Sequence, residues 1–431
     1  MSLVSNNATP PGPAVAPGAE HIDPFEAARR VRIDPRITAL VPGFDAPFFQ
    51  AGLAGYSDAA MRIVARRQGC PYCVTEALLD RTLLSGGRGF AKADLGDLVD
   101  NVPGGVEDHP LCGQVMGSDP DEMAAAALKM IEQGRRSPRF YQRLAAGEEG
   151  IGGEVAGAHA GSRTFATIDV NLACPVKKIK SKARGGHWLR EPDGAIEILR
   201  AVRAAVPNSI PTSVKLRRGS DDSVESERCF FRIFDAAYEL GYAWTTVHGR
   251  TVEQKYVGPS RWTFLRDLVA RDPDRIVFGS GDVWNVYDIF RMLAYTGVRA
   301  VSVARGCIGN PWIFRQAREM MAGRPPIAPT IEEQRRVLTE HWEIASLLHG
   351  EELAGRTMRK FGLRFAAHHP AGEQVRLRFI AVSNTHEWME VLREFYSPEA
   401  AALWESRGAQ PVAIGSSPEP AEAGEWSCEP V

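Results

Sequence analysis

No stretch of this 431-residue chain approaches the roughly 18 consecutive apolar residues that a membrane-crossing helix needs, so no membrane span is expected. The N-terminus also lacks the charged start and apolar core of a signal peptide, and a cytoplasmic location is expected. Cysteine is sparse and unpatterned, with seven residues at positions 70, 73, 112, 174, 229, 307 and 428. An odd number without regular spacing argues for reduced thiols rather than a disulfide framework. Cys70 and Cys73 form a CxxC, but no second CxxC completes a zinc site. Both are read as small buried hydrophobes, and no metal is expected. No internal repeat is visible. Neither sign of charge is in excess, the net charge being −2. The balance is uneven, however. From Ser397 onward six acids face the single base Arg407, a net −5 that leaves the rest of the chain at +3 and able to carry a basic face.

What the chain does have is rhythm. Short apolar runs at 47–53, 72–76, 112–116, 168–172, 212–216, 244–248, 275–279 and 300–304 alternate with helical segments at 58–68, 121–133, 192–205, 224–240, 283–295 and 311–321. Eight strands alternating with helices predict an α/β fold, a closed parallel (β/α)8 TIM barrel over residues 45–324. A Gly-rich insertion at 135–166 interrupts it. After a proline-rich stretch, Thr330 with Glu333 three residues on signals a capped helix. A C-terminal helical domain is expected over 330–396. The first 35 residues, richest in Pro, Ala, Gly and Asn over 1–20, and the acidic tail 408–431 are expected to be disordered.

The loops at the C-terminal ends of barrel strands converge on one mouth. Polar residues crowd those ends here: Gln114, Asn171 and Cys174, Lys215 and Arg217, His248 and Arg250, Ser280 to Asp282, and Ala304 to Gly306. Each alone has a structural reading, a rim lysine or a core histidine. Glycines after the seventh and eighth strands let backbone N–H groups approach a ligand, and Arg305 adds a bidentate cation, as phosphate-binding barrels require. Tight turns also want glycine, but the neighbouring lysine and histidine favour a phosphate-bearing cofactor.

In order along the chain stand Ala51-Gly-Leu-Ala-Gly-Tyr-Ser-Asp58, Val74-Thr-Glu76, Gln114-Val-Met-Gly-Ser-Asp-Pro120 and Ile168-Asp-Val-Asn-Leu-Ala-Cys-Pro-Val-Lys-Lys178. Val214-Lys-Leu-Arg217, Val247-His-Gly-Arg-Thr251, the 279–283 stretch and Ala304-Arg-Gly-Cys-Ile-Gly-Asn-Pro-Trp312 follow. Over residues 45–395 this resembles the tRNA-dihydrouridine synthases. The resemblance implies a bound FMN, NADPH as reductant, tRNA as partner with no obligate protein partner, and reduction of the uracil C5=C6 bond. It implies that Gln114, Lys215, His248, Ser280, Gly281, Asp282, Ala304 and Arg305 hold the flavin. Asn171, Arg217 and Tyr256 would hold the uracil, and Cys174 would protonate C5. A thiol is still protonated at neutral pH yet gives up its proton readily.

Lys177 and Lys178 lead a basic loop directly behind Cys174. In the helical domain Arg356, Arg359, Lys360 and Arg364 recur at i, i+3, i+4 and i+8, one helix face. Two such runs flanking a base pocket are expected to meet tRNA phosphates. The chain departs from the family pattern at Gly52-Leu53, where Pro-Met is usual, at Ser280, where Asn is usual, and in the insertion. Two other readings fit the residues: an FMN-dependent dehydrogenase of a free pyrimidine, and a flavin-free RNA-binding barrel.

Overall fold

Helices between the barrel strands return the chain to the same edge, so successive barrel strands lie parallel. The computed structural model describes residues 18–85, 107–133, 165–175, 185–406 and 412–415. Its strands are β1 (Phe48–Gln50), β2 (Cys73–Val74), β3 (Leu78–Leu79), β4 (Leu111–Met116), β5 (Thr167–Leu172), β6 (Thr212–Arg217), β7 (Trp244–His248), β8 (Val277–Ser280) and β9 (Ala300–Val303). Every pairing is parallel. β1 pairs with both β2 and β9, and β2 also pairs with β4, which closes eight strands into a barrel. β3 lies outside that ring and adds two residues to the end of β4. The eight expected strands are all present, the seventh beginning two residues later than its apolar run suggested.

Helices α1 (Pro24–Arg30) and α2 (Pro35–Leu40) precede the barrel. α3 (Ala59–Arg67), α4 (Asp80–Ser85), α5 (Pro120–Gln133), α6 (Pro192–Ala205), α7 (Val224–Glu239), α8 (Trp262–Arg271), α9 (Val286–Thr296) and α10 (Trp312–Met321) surround it. The insertion, up to residue 164, lies outside the described residues. Among the described residues no helix is long and apolar enough to cross a membrane.

The barrel floor is aromatic. Phe49, Tyr72, Trp244 and Phe278 fill it, Tyr72 meeting Phe49 and Trp244 edge to face and Trp244 and Phe278 tilted with centroids 5.2 Å apart. Ile37, Val41 and Phe44 close it from below, Phe44 stacking on Tyr72 at 4.5 Å. Here the structure corrects the expectation of disorder through residue 35. Asp23 and Asp34 each cap a helix whose first residue is proline, accepting the N–H of Phe25 and of Arg36. These two local Asp-Pro signals outweigh the poor composition around them.

Beyond the barrel come α11 (Ile331–His349), α12 (Glu351–Phe365), α13 (Gly372–Ile380), α14 (Thr385–Tyr396) and α15 (Pro398–Ser406). Thr330 and Glu333 form the expected capping box of α11, at 3.1 and 3.0 Å. A stacked Trp342–Trp388 pair, joined by Phe379, makes the core of these helices. Phe365 and His368 pack on Trp312 of α10, which fixes the helices against the barrel beside its mouth.

Candidate active site at the barrel mouth

Above the aromatic floor lies a polar layer. Strand register sets Gln114 of β4 beside Asp169 of β5 and Asp169 beside Ser213 of β6. Two residues further along β5 and β6, Asn171 lies beside Lys215, and one step beyond that Arg217, His248 and Ser280 form the next row on β6, β7 and β8. Period two along each strand turns Asp169 and Asn171, and likewise Ser213, Lys215 and Arg217, to the same inner face. The residues picked out at the strand ends are therefore brought together. A residual cavity of ≈ 10 Å³, about one water, separates floor and polar layer; Gln114, Asp169, Ser213 and Lys215 line it.

Cys174 sits half-buried just past β5. Its own N–H and that of Ala173 both donate to Asn171 Oδ1, at 3.1 and 3.0 Å. Its carbonyl accepts from Gly186 N–H at 3.0 Å, and Arg217 Nε donates to the Ala173 carbonyl at 3.0 Å. The thiol-bearing loop is thus held by its donors and its acceptors alike. The Cys174 side chain is close enough to Lys215 and Arg217 to act on their charge.

Arg217 is buried and also donates to the carbonyls of Thr251 and Lys255, at 2.8 and 2.7 Å. Its guanidinium lies 5.5 Å from the Tyr256 ring centroid. Arg305 lies between Tyr256 and Trp284, 5.0 and 4.2 Å from their centroids. Burial, aided by Arg217, pulls the Lys215 pKa down to about 8, so the ammonium is held at neutral pH with little margin. Burial among four cations holds His248 well below the usual imidazole range, and the ring is neutral. Its Nδ1 faces Ser280 Oγ at 3.3 Å. Ser280 thereby orients the imidazole and keeps further hydrogen-bonding capacity on its hydroxyl.

Gly281 has φ +112°, and a Cβ there would meet Ser260 Oγ at 2.3 Å and His248 at 3.1 Å. Only glycine lets this turn approach the histidine. Asp282 follows with φ +54°, a conformation that costs a non-glycine residue about 1 kcal/mol or more. Its carboxylate accepts from Ser260 N–H at 2.6 Å and pairs with the buried Arg250 at 2.7 Å. The same carboxylate lies 3.8 Å from Arg305 Nη2, so Asp282 stands between both arginines. Ala304 leads into a single 3-10 turn, Arg305–Cys307.

Four buried polar atoms beside the Gly281–Asp282 turn have no hydrogen-bond partner among the described residues: His248 Nε2, Arg250 Nη1, Ser260 Oγ and Asp282 Oδ1, the last held by its ion pair with Arg250. An anionic ligand bearing both donors and acceptors would satisfy them while meeting Lys215, Arg217 and Arg305. Ser260 and Trp284 carry no motif that marks them in the sequence, and Arg250 is visible only as part of Val247-His-Gly-Arg-Thr251. Among the described residues no cluster of three metal-ligating side chains occurs.

The basic helix face divides. Arg356 and Arg359 are exposed on α12, Arg356 standing 3.7 Å from Glu352. Lys360 instead turns to the barrel, donates to the Gly55 carbonyl and lies 4.8 Å from the Tyr56 ring. Lys177 and Lys178 lie outside the described residues.

Residues 155–400, more than half the chain, match the family described as dihydrouridine synthase (Dus). The chain belongs to that family. Among its relatives is tRNA-dihydrouridine synthase B of Pseudomonas putida, 28% identical, the match covering 84% of this chain and 95% of the relative. A probable tRNA-dihydrouridine synthase of Treponema pallidum is 28% identical over 80% of this chain and 92% of its own. That of Mycobacterium leprae is 32% identical over 51% and 57%. The matched region includes Cys174, the residues of β5 to β9 and all of the C-terminal helices but the last six residues of α15, while Gln114 on β4 lies before it.

Proposed function

We propose that this protein reduces uridine to 5,6-dihydrouridine in tRNA, with FMN bound at the barrel mouth and NADPH as reductant. The observation that carries the reading is a half-buried thiol on a loop pinned from both sides, next to a cation-rich hollow with unpartnered donors, in a dihydrouridine synthase chain. Lys215, His248 Nε2, Arg250, Ser260 and Arg305 hold the cofactor, whose phosphate suits the glycine turn at Gly281 and the Arg305 guanidinium. When bound, FMN supplies the hydride that reaches C6 of the uracil.

The chain's own residues do the rest. Cys174 gives its proton to C5, where the electron pair is left, and solvent later restores the thiol. Asn171 has already spent its Oδ1 on two N–H groups and one Nδ2 hydrogen on Gln114. One N–H remains, so it can hold the base only by donating to a uracil carbonyl. Arg217 and Tyr256 offer a guanidinium and a ring face to a base taken out of its stack. Arg356 and Arg359, both exposed on α12, meet phosphates of the RNA.

The test is reconstitution. Purified protein should be yellow and release FMN on denaturation, and with NADPH it should form dihydrouridine in tRNA lacking it. Turnover of free uracil but not tRNA would replace this reading with the free-pyrimidine one, and colourless protein that takes up no FMN would end both.

A further inference from the structure

We infer that Asp169 is a positioning residue, setting the Cys174 loop through a directed line of two amides. The inference rests on the proposal that Cys174 acts at the mouth. A carboxylate can only accept, so Asp169 dictates the polarity of whatever faces it. Its Oδ1 accepts from the Ser213 hydroxyl at 2.6 Å and its Oδ2 from Gln114 Nε2 at 2.8 Å. With its nitrogen turned to Asp169, Gln114 must present Oε1 to Asn171, whose Nδ2 donates to it at 2.8 Å. Asn171 is then left with Oδ1 facing the loop, where the N–H groups of Ala173 and Cys174 need an acceptor. Reversal of either amide would set oxygen against oxygen at one end and N–H against N–H at the other. Every donor in the line points toward Asp169.

The line is sealed from water. Relative exposure is 4% for Asp169, 2% for Gln114, 8% for Asn171 and 1% for Ser213. Bulk solvent cannot replace a missing partner, and one water in the ≈ 10 Å³ cavity beside Gln114, Asp169 and Ser213 could turn to donate or accept and so would not fix the polarity of the amides; the loss of one link is felt at the next. Packing alone does not call for a carboxylate here, because burial pushes its pKa up to about 6 and opposes its ionisation. The competing explanation is that Asp169 serves as a countercharge to Lys215, which lines the same cavity.

Two substitutions separate these roles. Asp169→Asn removes the charge but keeps the line, because Oδ1 can accept from Gln114 while Nδ2 donates to the Ser213 oxygen. Asp169→Val removes the acceptor. Hydrogen exchange at the Ala173 and Cys174 amides reads the loop directly, and the tRNA half-reaction at saturating FMN reads its consequence. In the valine variant both amides should exchange roughly tenfold faster or more, and reoxidation by tRNA should slow by roughly 10–100-fold. The asparagine variant should stay within about threefold of the parent in both. Equal damage from asparagine, or unchanged exchange in the valine variant, overturns the inference, as does loosened exchange with an unimpaired tRNA step. If the valine variant does not fold, Gln114→Met cuts the same line with the Asp169 charge in place and must loosen the same two amides. Cys174→Ala tests the underlying assignment separately. Should it protonate its substrate at the parent rate, the acid is misassigned while the exchange data still decide the line.

Discussion

Lys360 on α12 donates to the carbonyl of Gly55, in the loop that follows the first barrel strand. The same loop places Tyr56 against Phe361, with centroids 5.5 Å apart, and Asp58 against His349 at 3.1 Å. One lysine therefore ties the C-terminal helices to the mouth, while its neighbours Arg356 and Arg359 face solvent.

This division predicts two different phenotypes on one helix. Joint Arg356→Ala and Arg359→Ala should weaken tRNA binding and reduce its log–log salt slope by roughly 0.7–0.9 per lost phosphate contact, with the melting temperature unchanged. Lys360→Met should do the reverse, lowering the melting temperature with little change in slope. Binding titrations at several salt concentrations, beside thermal melts, check this. A slope that flattens as much for Lys360→Met as for the arginine pair would place Lys360 on the RNA after all.

Lys215 gives a pH prediction with a definite sign. Its folded pKa is depressed from 10.5 to about 8. The unfolded chain thus binds more protons between those values, and the FMN-free protein gains stability as pH rises from about 8 toward 10.5, by something on the order of 3 kcal/mol. Affinity for the anionic cofactor should move the opposite way, falling as the ammonium is lost above about 8. Lys215→Met should bind FMN more weakly at pH 7 and show neither trend around pH 8. Flavin fluorescence titrations and melts across pH 7–9.5 are the measurements, and parallel trends in the two quantities would sink the assignment.

Gly52 stands where the family usually has proline, and the structure supplies a reason. A Cβ there would lie 2.3 Å from the Thr75 carbonyl oxygen and 3.3 Å from Gln114 Oε1. Thr75 in turn accepts the Gln114 N–H at 3.0 Å. Gly52→Ala should cost about 1–3 kcal/mol by overpacking and lower FMN retention by shifting Gln114. Parent-like melting and flavin content would mean that the β2 end yields more easily than its backbone contact implies.

The strand ends were legible because chemistry and topology coincide there: a polar residue closing an apolar run has few reasons to exist except at the mouth. Asp169 was not, since one acid inside the run 168–172 reads as an interruption until register places it beside Gln114 and Ser213. Nor could helical periodicity separate Lys360 from Arg356 and Arg359. Spacing defines a face, but whether that face meets water or a loop 300 residues away depends on packing. The two residues of β3 are too few to show any alternation. The Asp-Pro caps at Asp23 and Asp34 were present in the sequence and were outweighed by composition.

Cys174 carries the sharpest test, because the role proposed for it belongs to one half of the reaction only. Its backbone bonds Asn171 Oδ1 and Gly186 N–H, and its proton is needed only after hydride has reached the uracil. Cys174→Ala should therefore bind FMN normally and be reduced by NADPH at the parent rate. Reoxidation by tRNA should slow by about 10²–10⁴, the scale of a lost general acid. Serine should restore little, since a hydroxyl of similar size is a far weaker acid than a thiol. The two half-reactions are followed separately by stopped-flow absorbance of the flavin. A variant that fails with NADPH but still reacts with tRNA would make Cys174 part of the cofactor pocket, and the proton to C5 would have to come from elsewhere at the mouth.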